Sequence, residues 1–364
     1  MKKILALLLS GMVIQNSIAC TSLNIKATDG SVAAGRTMEW AYDMNWQLLY
    51  YPQGSSYQLN APKQNNLPPQ QLTSKYAVLG IGTGLENNAM LEGQNSAGLA
   101  ISGNFLPDFT EYQTVNQNDK KYVSVLEFVR FVLSNYANVN EIQQELPKYK
   151  VWAPELQNLP VTPTIHFLIT DKTGNSTVIE FIHGEMKFFN NSIGVMTNSP
   201  NYDWHLTNVK NYVNLTNVAT NNRNSNSKLG NVTAVGQGGG AIGLPGDYTP
   251  PSRFIKTTFL SYYADKTNNA SEAINLVDHI LNTVDIPKGV VASVENGTKQ
   301  SDYTQWIAIK DLNHNQFYFA DYNHRTNLVK IDLNKLSRNG KIKTFALPIN
   351  KINYPNSDIT NSLR

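Results

Sequence analysis

The chain has 364 residues, of which 41% are hydrophobic and 16% charged, and a formal net charge of +3. A chain of this length can bury a large core in one big domain or two small ones, and the composition is that of an ordinary globular protein. Because the net charge is small and Lys and Arg form no cluster, we expect no nucleic-acid partner.

The N-terminal segment differs from the rest of the chain. Lys2 and Lys3 precede an almost continuously apolar run over 4–14, and Ser17-Ile18-Ala19 puts small residues where a signal peptidase reads. This pattern predicts a signal peptide over 1–19 and not a membrane span, because the apolar run is too short to cross a bilayer. We therefore expect 20–364 to form a single exported domain, periplasmic or secreted.

Cys20 is the only cysteine of the chain and directly follows the predicted cleavage site. A single cysteine forms no internal disulfide, so an exported chain uses it as a reactive thiol, an intermolecular link or a lipid attachment point. A lipid-attachment signal normally has Leu three residues before the cysteine, where this chain has Ser17. A lipid-anchored binding lipoprotein, with Cys20 acylated, is the alternative from a different class of protein.

The first predicted elements after Cys20 form a hairpin. Alternation over 21–25 and 32–36 indicates two strands, and Asp29-Gly30 between them is a turn signal. The hairpin would bring Arg36 back towards Cys20. An aromatic-rich segment over 40–51 follows, and its pattern fits a core element and the wall of a substrate pocket equally.

The rest of the chain alternates between groups of strands and groups of helices. In chain order, the patterns predict a loop over 53–72, strands over 78–82 and 98–103, helices over 123–136 and 139–146, strands over 164–170, 176–182 and 186–190, a helix over 202–212, a polar loop over 214–240, helices over 251–264 and 270–284, and strands over 304–310, 316–321 and 327–332. This order is typical of an α+β layered domain with antiparallel sheets.

An N-terminal cysteine can supply both the nucleophile and the base of a hydrolase. A thiol attacks as its thiolate, and a neutral α-amine on the same residue can accept the proton. A nearby cation favours the thiolate, and Arg36 is the first candidate. A Cys/His pair would need a well-placed histidine, whereas the six histidines lie in contexts typical of turns and surfaces: His166, His183, His205, His279, His314 and His324.

Metal and nucleotide chemistry have no sequence support. The chain has no HExxH motif and no cluster of His and Cys. The glycine-rich run over 236–240 lacks both a following Lys-Ser/Thr and a preceding strand. We therefore expect no metal or organic cofactor.

Four sequence blocks resemble the choloylglycine hydrolases, which comprise bile salt hydrolases and penicillin V acylases. The blocks are Cys20-Thr21-Ser22 with Gly35-Arg36-Thr37-Met38-Glu39-Trp40, then 98–105, then Met196-Thr197-Asn198-Ser199-Pro200, then Leu244-Pro245-Gly246-Asp247 with Ser252-Arg253-Phe254. The resemblance implies an N-terminal-nucleophile hydrolase with a four-layer αββα sandwich of two antiparallel sheets. It also implies hydrolysis of linear amide C–N bonds.

The resemblance also implies roles for individual residues. Cys20 matches the nucleophile, Arg36 the arginine beside the thiol, Asn198 an asparagine that binds the substrate carbonyl or oxyanion, and Arg253 an arginine that braces the site. Glu39 stands where the family usually has an Asp that holds the α-amine.

Asn104 is expected as a second oxyanion donor. Bile salt hydrolases commonly read Gly-Leu-Asn-Phe-Pro, whereas this chain reads Gly103-Asn104-Phe105-Leu106-Pro107, so the register at Asn104 is open by one residue. Trp40, Trp46 and Phe105 are expected to line the acyl pocket.

The expected substrate is a small-molecule N-acyl amide with a bulky apolar acyl part, such as a conjugated bile acid or penicillin V. An N-acyl-homoserine-lactone acylase, which cuts the same type of bond, is the alternative among enzymes. The segment between Asn201 and Gly246 resembles a loop that joins subunits in the bile-salt-hydrolase branch, so the resemblance implies a homotetramer.

Overall fold

The structure is a computed structural model that describes residues 19–63, 66–86, 89–155, 163–219, 236–295, 297–336 and 341–346. The predicted signal peptide, apart from Ala19, lies outside the described residues, as do 220–235 of the polar loop and the C-terminal 347–364. Within the described part of the chain, each helix is too short or too polar to cross a membrane.

Antiparallel strands dominate the described residues. The strands are β1 Cys20–Lys26, β2 Val32–Trp40, β3 Trp46–Tyr51, β4 Ser56–Leu59, β5 Gln70–Thr73, β6 Val78–Thr83, β7 Met90–Asn95, β8 Leu99–Phe105, β9 Tyr122–Ser124, β10 Lys150–Trp152, β11 Ile165–Asp171, β12 Ser176–Ile182, β13 Glu185–Asn190, β14 Val195–Met196, β15 Val291–Glu295, β16 Thr298–Asp311, β17 Gln316–Asp321, β18 Val329–Asp332 and β19 Lys343–Ala346. The helices are α1 Val125–Asn135, α2 Val139–Glu145, α3 Tyr202–Val209, α4 Pro250–Tyr263, α5 Ala270–Asn282 and α6 Leu333–Leu336.

Two large sheets are built from these strands. The first has the order β14-β1-β2-β16-β17-β18, with β15 paired to β16, and the second has the order β13-β12-β11-β8-β7-β6-β3-β19. The paired strands within both sheets are antiparallel. The predicted α+β fold with two antiparallel sheets is therefore confirmed.

Three clusters of buried side chains hold the sandwich together. The cluster between the sheets includes Cys20 and the large rings of Trp46 and Trp306. A second cluster packs α1 and α2 against the outer face of the second sheet, and a third packs α4 and α5 against the first sheet. The layers therefore run helix, sheet, sheet, helix.

The hairpin of β1 and β2 confirms the first sequence prediction. Ser22 pairs with Arg36 and Cys20 with Met38, so the returning strand does carry Arg36 beside Cys20. The predicted meander over 164–190 is also present as β11, β12 and β13.

The prediction of loop over 53–72 is wrong in part, because β4 and β5 form a small two-stranded sheet there. Tyr57 and Leu59 are buried while their neighbours Ser56 and Gln58 are exposed. This period-two alternation is that of a strand, but the Gln, Asn and Pro content of the segment obscures it.

Gly35 allows α5 to approach β2 closely. A Cβ at this position would overlap Val277 Cγ1 and lie 3.1 Å from Leu281 Cδ1, both on α5. Gly35→Ala should therefore lower the free energy of unfolding by about 1–3 kcal/mol, the usual effect of overpacking a core. Chemical denaturation measures this change.

Gly246→Ala is the matched control for Gly35→Ala, because a Cβ at Gly246 would meet nothing within 4 Å. Equal stability of the two variants would show that the close approach of α5 does not limit the side chain at Gly35.

Candidate active site

Cys20 is the first residue of β1 and lies between the two sheets with only 1% of its surface exposed. Its Sγ lies 3.5 Å from Arg36 Nη2 and 3.7 Å from Met38 Sδ. Its backbone nitrogen donates a 2.5 Å hydrogen bond to Asn198 Oδ1. Here this nitrogen belongs to the Ala19–Cys20 peptide, and it occupies the place that an α-amine would take after cleavage. Ala19 itself is 2% exposed.

Asn198 is placed by strand pairing. β14 pairs with β1 through Met196 and Ser22, and Asn198 follows two residues later. Its Oδ1 accepts from the Cys20 nitrogen and, at 3.0 Å, from Arg253 Nη2. Its Nδ2 donates to the Phe105 carbonyl at 2.8 Å. An amide nitrogen carries two hydrogens, and this is the one hydrogen bond that Nδ2 donates to the described residues.

Arg253 holds the main chain at Cys20 from the first turn of α4. Its Nη1 donates to the Cys20 carbonyl and to Thr21 Oγ1, both at 2.6 Å, and its Nε donates to the Tyr248 carbonyl at 3.0 Å. Burial lowers the pKa of Arg253, and the charges of Glu39 and Cys20 oppose this shift. The arginine thus contacts three segments that meet at the cysteine.

Arg36 lies on the other side of the thiol. Besides Cys20, its Nη2 contacts Met38 Sδ at 3.1 Å, and its Nη1 donates to the Leu91 carbonyl at 3.1 Å. The guanidinium stands 5.1 Å above the Trp306 ring. Its carboxylate partner is Glu92, 3.7 Å away.

Sequence reasoning did not identify Met38 or Glu92 as neighbours of the thiol. Met38 could have been suggested by its position two residues beyond Arg36 on the same strand, whereas Glu92 had no such signal.

Glu39 is not placed as expected. Its carboxylate is fully buried and accepts hydrogen bonds from Thr304 Oγ1 at 2.7 Å and Thr37 Oγ1 at 3.1 Å. The Cys20 nitrogen, which Glu39 was expected to hold, donates to Asn198 instead. The link from Glu39 to this region is indirect, since Thr37 Oγ1 also accepts from the Thr21 nitrogen at 3.2 Å.

Asn104 faces away from the thiol. Its Nδ2 donates to the Thr197 carbonyl at 2.9 Å and its Oδ1 accepts from Ser22 Oγ at 3.1 Å. The neighbours Gly103 and Phe105 line the pocket at Cys20 instead. Because side chains alternate along a strand, the side chain of Asn104 lies on the opposite face of β8 from that of Phe105. The side chain of Asn104 therefore does not point to the thiol, and a second oxyanion donor at this residue stays a prediction.

An apolar pocket opens beside Cys20. Its volume is about 70 Å³, and its lining includes Met38, Trp40, Leu91, Phe105 and Ile165. The rings of Trp40 and Phe105 meet edge to face with centroids 5.5 Å apart. Two of the three aromatic residues predicted for the pocket therefore lie in it.

Trp46 is the exception among these three. It is buried in the core between the sheets, where its ring meets Trp306 edge to face at 5.5 Å. Its indole nitrogen donates to Gln305 Oε1 at 2.6 Å. The residue is absent from the lining of the pocket because the first position of β3 points it into the packed interior.

Two histidines predicted for turns or surfaces are buried beneath Asn198. His166 Nε2 bonds to the Thr197 carbonyl at 2.9 Å, and its Nδ1 bonds to Glu180 at 2.9 Å. His205 Nε2 bonds to the Asn198 carbonyl at 2.8 Å and stacks on Phe254. Burial lowers the pKa of His205 to about 4, so this imidazole is neutral near pH 7. Both rings hold the backbone of Asn198.

Among the described residues, no group of three His, Cys, Asp or Glu side chains is arranged to hold a metal ion. The polar groups around Cys20 are instead hydrogen-bonded to one another. What the arrangement offers is a buried thiol, a cation beside it, an oriented backbone nitrogen and an apolar pocket.

Two facing antiparallel sheets, covered by helices on both sides and with a cysteine at the head of an inner strand, define the N-terminal-nucleophile hydrolase fold. Residues 20–344 match the sequence pattern of the linear amide C–N hydrolases, choloylglycine hydrolase family. The chain belongs to this family, which confirms the resemblance found in the four sequence blocks.

Individual relatives agree with this assignment. The bile salt hydrolase/transferase of Clostridium perfringens is 36% identical over 346 residues, covering 92% of this chain and 100% of that protein. A crystal structure of a variant of the conjugated bile acid hydrolase from Clostridium perfringens superposes with a TM-score of 0.80 at 32% identity, covering 93% of this chain and 100% of that one. The penicillin V acylase from Agrobacterium tumefaciens, at 24% identity and a TM-score of 0.72 over 92% of this chain and 94% of that one, shares the fold.

Glu39 should make stability depend on pH. Burial raises its pKa from 4.5 to about 7, against the opposing effects of Arg253 and the two threonine hydroxyls. Between these values the folded protein holds a proton that the unfolded chain has released, so this contribution to stability is full below about pH 4.5 and lost as the pH rises through about 7. Glu39→Gln should remove this dependence. As the pH rises from about 4.5 to about 7, the free energy of unfolding of the variant, relative to that of the wild type, should therefore increase by about 2–4 kcal/mol.

Urea denaturation over a series of pH values measures the difference. Glu111→Gln, at a carboxylate that is 69% exposed, is the matched control and should follow the wild type at every pH. Parallel curves for Glu39→Gln and the wild type would contradict the raised pKa.

Proposed function

We propose that the protein is an exported hydrolase of N-acyl amides in which Cys20, freed at its nitrogen, is the nucleophile. The observation that carries the proposal is the setting of Cys20. Its sulfur lies beside Arg36, its nitrogen is held by Asn198, and an apolar pocket opens next to it. Membership of a family of linear amide C–N hydrolases supplies the type of bond that is cut.

The proposed reaction begins with attack of the Cys20 thiolate on the amide carbonyl carbon. The thiol proton passes to the α-amine of Cys20, directly or through a water. The carbonyl oxygen becomes an oxyanion that the free N–H of Asn198 can stabilise, an effect worth a few kcal/mol, about 3, for one donor. The Cys20 ammonium then protonates the leaving amine, the C–N bond breaks, and an acyl thioester remains on the sulfur.

Water completes the cycle. The neutral α-amine takes a proton from a water molecule, whose oxygen attacks the thioester carbonyl. The carboxylic acid leaves and the sulfur recovers its proton. Arg36 favours the thiolate at the start and at the end of this sequence, because a nearby positive charge stabilises the charged form.

The apolar wall of Trp40 and Phe105 supports a substrate with a bulky apolar acyl part. A pocket of about 70 Å³ is smaller than such a group. Its lining residues Ala89 and Pro163 adjoin 87–88 and 156–162, which lie outside the described residues. Conjugated bile acids and penicillin V both fit this description, and the relatives include enzymes named for each. An N-acyl-homoserine-lactone acylase is the alternative.

A homotetramer is part of the proposal. The family resemblance of the segment from Asn201 to Gly246 suggested it, and this segment exposes large apolar side chains, among them Trp204, Val213 and Ile242. Exposed apolar side chains that form one contiguous patch are typical of surfaces that contact another protein, and these residues are the candidates for such a patch. A monomeric mass by light scattering would remove this part of the proposal.

Removal of residues 1–19 should leave a chain that begins at an unmodified Cys20. The intact mass of the protein recovered from the periplasm or the medium measures this directly. A mass increase corresponding to a diacylglyceryl group would favour the binding lipoprotein, because a sulfur that carries this group as a thioether cannot act as the nucleophile.

Cys20→Ser should lower kcat/KM for amide hydrolysis by roughly 10³-fold or more. The hydroxyl is a far weaker acid than the thiol, so the α-amine deprotonates it much less readily. The assay uses a panel of a glycine- or taurine-conjugated bile acid, penicillin V and an N-acyl-homoserine lactone, and the relative rates select the substrate class. Equal melting temperatures of variant and wild type serve as the control for folding. Undiminished hydrolysis by Cys20→Ser would rule out Cys20 as the nucleophile.

A further inference from the structure

A row of three buried charges connects the two sheets beside the thiol. Lys310 lies on β16 and Arg36 on β2, both in the first sheet, while Glu92 lies on β7 in the second. The side chains of Lys310 and Glu92 are 0% exposed and that of Arg36 is 1% exposed. Buried charges are costly unless they are paired, so a row of this kind has to be explained.

The contacts within the row are unequal. Lys310 Nζ donates a short hydrogen bond to Glu92 Oε1 and contacts Ser102 Oγ at 3.2 Å. The other oxygen, Glu92 Oε2, lies 3.7 Å from Arg36 Nη1 and accepts no hydrogen bond from the described residues. Glu92 is therefore held by the lysine more closely than by the arginine. The other nitrogen of the guanidinium, Nη2, contacts the sulfur atoms of Cys20 and Met38.

The net charge of Arg36, Glu92 and Lys310 explains why a lysine is buried next to Glu92. Arg36 and Glu92 alone would form a neutral pair, and their combined field at the sulfur would be weak. Lys310 adds a second positive charge, so the row carries a net charge of +1. Burial lowers the pKa of Lys310, Glu92 opposes this shift, and the charge of Arg36 adds to it. The hydrogen bond from Lys310 Nζ to Glu92 Oε1 pairs the lysine with the carboxylate, and while this pair is charged Arg36 keeps its attraction for a thiolate.

Other charges also face Cys20. Arg253 contacts its carbonyl oxygen, and Glu39 is the carboxylate whose charge acts most strongly on Arg253. Arg253 is positive, and Glu39 becomes negative as the pH rises through about 7. In the cleaved chain the α-amine of Cys20 adds a titrating group. All three are unchanged by substitutions in the row of Arg36, Glu92 and Lys310, so comparisons between such variants isolate the effect of the row.

We propose that Lys310 is a positioning residue that acts through Glu92 on Arg36, preventing Glu92 from neutralising the arginine that stabilises the Cys20 thiolate. The inference rests on the proposed role of Cys20 as nucleophile. It gives Lys310, on a strand far from Cys20 in sequence, a part in the reactivity of that thiol. It requires no contact between Lys310 and the substrate.

Alkylation of the thiol tests the proposal without a substrate. Cys20 is the only cysteine of the chain, so the rate of iodoacetamide addition, followed by intact mass over a range of pH, reports on this thiol alone. Lys310→Met should move the pH of half-maximal rate upward by about one unit, which makes alkylation roughly tenfold slower on the acid side. The double variant Glu92→Gln/Lys310→Met restores a net charge of +1 and should return to the wild-type profile.

The same changes at a surface pair provide the control. Glu145 and Lys148 form an exposed ion pair, and Glu145→Gln/Lys148→Met and Lys148→Met should both leave the profile unchanged. A purely structural role for Lys310 would alter stability without moving the midpoint. Lys310→Met with a wild-type midpoint would therefore overturn the proposal.

The double variant is informative even if Lys310→Met does not fold, because it removes both members of the buried pair. A midpoint displaced downward in this variant would show that Glu92 alone controls Arg36, and this would also overturn the proposal. Failure of the proposed function is separate, because it would appear as undiminished hydrolysis by Cys20→Ser whatever the alkylation profiles show.

Discussion

The side-chain amide of Asn198 is the contact on which the candidate site depends. Its oxygen accepts hydrogen bonds from the nitrogen of Cys20 and from Arg253, and its nitrogen donates to the Phe105 carbonyl. One side chain thereby joins the start of β1, the first turn of α4 and the end of β8. Since these elements come from both sheets and one outer helix layer, the position of the thiol is set by the assembly of the whole sandwich.

The backbone beneath this amide is fixed as firmly as the amide itself. His166 and His205 bond to the two successive carbonyls of Thr197 and Asn198. Burial lowers the pKa of His205 to about 4, so this imidazole is a neutral donor that orients a carbonyl without bringing a charge into the site. His166 carries no local sequence signal of its role, because the carbonyl that it contacts is 31 residues away.

Much of the fold could be predicted from local patterns. Alternation and an Asp-Gly turn were sufficient for the β1–β2 hairpin, and helical spacing was sufficient for α1 and α5. Among the strands that were missed, three have an alternation that is hidden by composition. β4 and β5 are rich in Gln, and β7 contains Glu92 and Gln94, which are polar yet fully buried. Burial of such side chains depends on partners in other strands, which a local pattern cannot reveal.

Arg36 was predictable from the chain itself, because it and Cys20 lie on the two strands of one hairpin. Asn198 and Arg253 were expected only from the family resemblance, since both lie far from Cys20 in sequence. The direction of the Asn104 side chain was not predictable without the face of its strand, and the core position of Trp46 resembled a pocket wall in the sequence. No local signal marked Lys310, whose lysine identity suggests a surface position and whose partner lies in the opposite sheet.

The burial of Ala19 has a consequence for the order of events in the life of the chain. Ala19 and Cys20 are 2% and 1% exposed in the uncut chain, so the bond between them lies within the folded sandwich. A peptidase needs several residues in an extended, accessible form to cut a bond. If the chain is cut there by a separate enzyme, the cut has to precede the docking of β1, and the thiol is then enclosed only after its amine has been released. Folding of an uncut chain would therefore hide this bond from a peptidase.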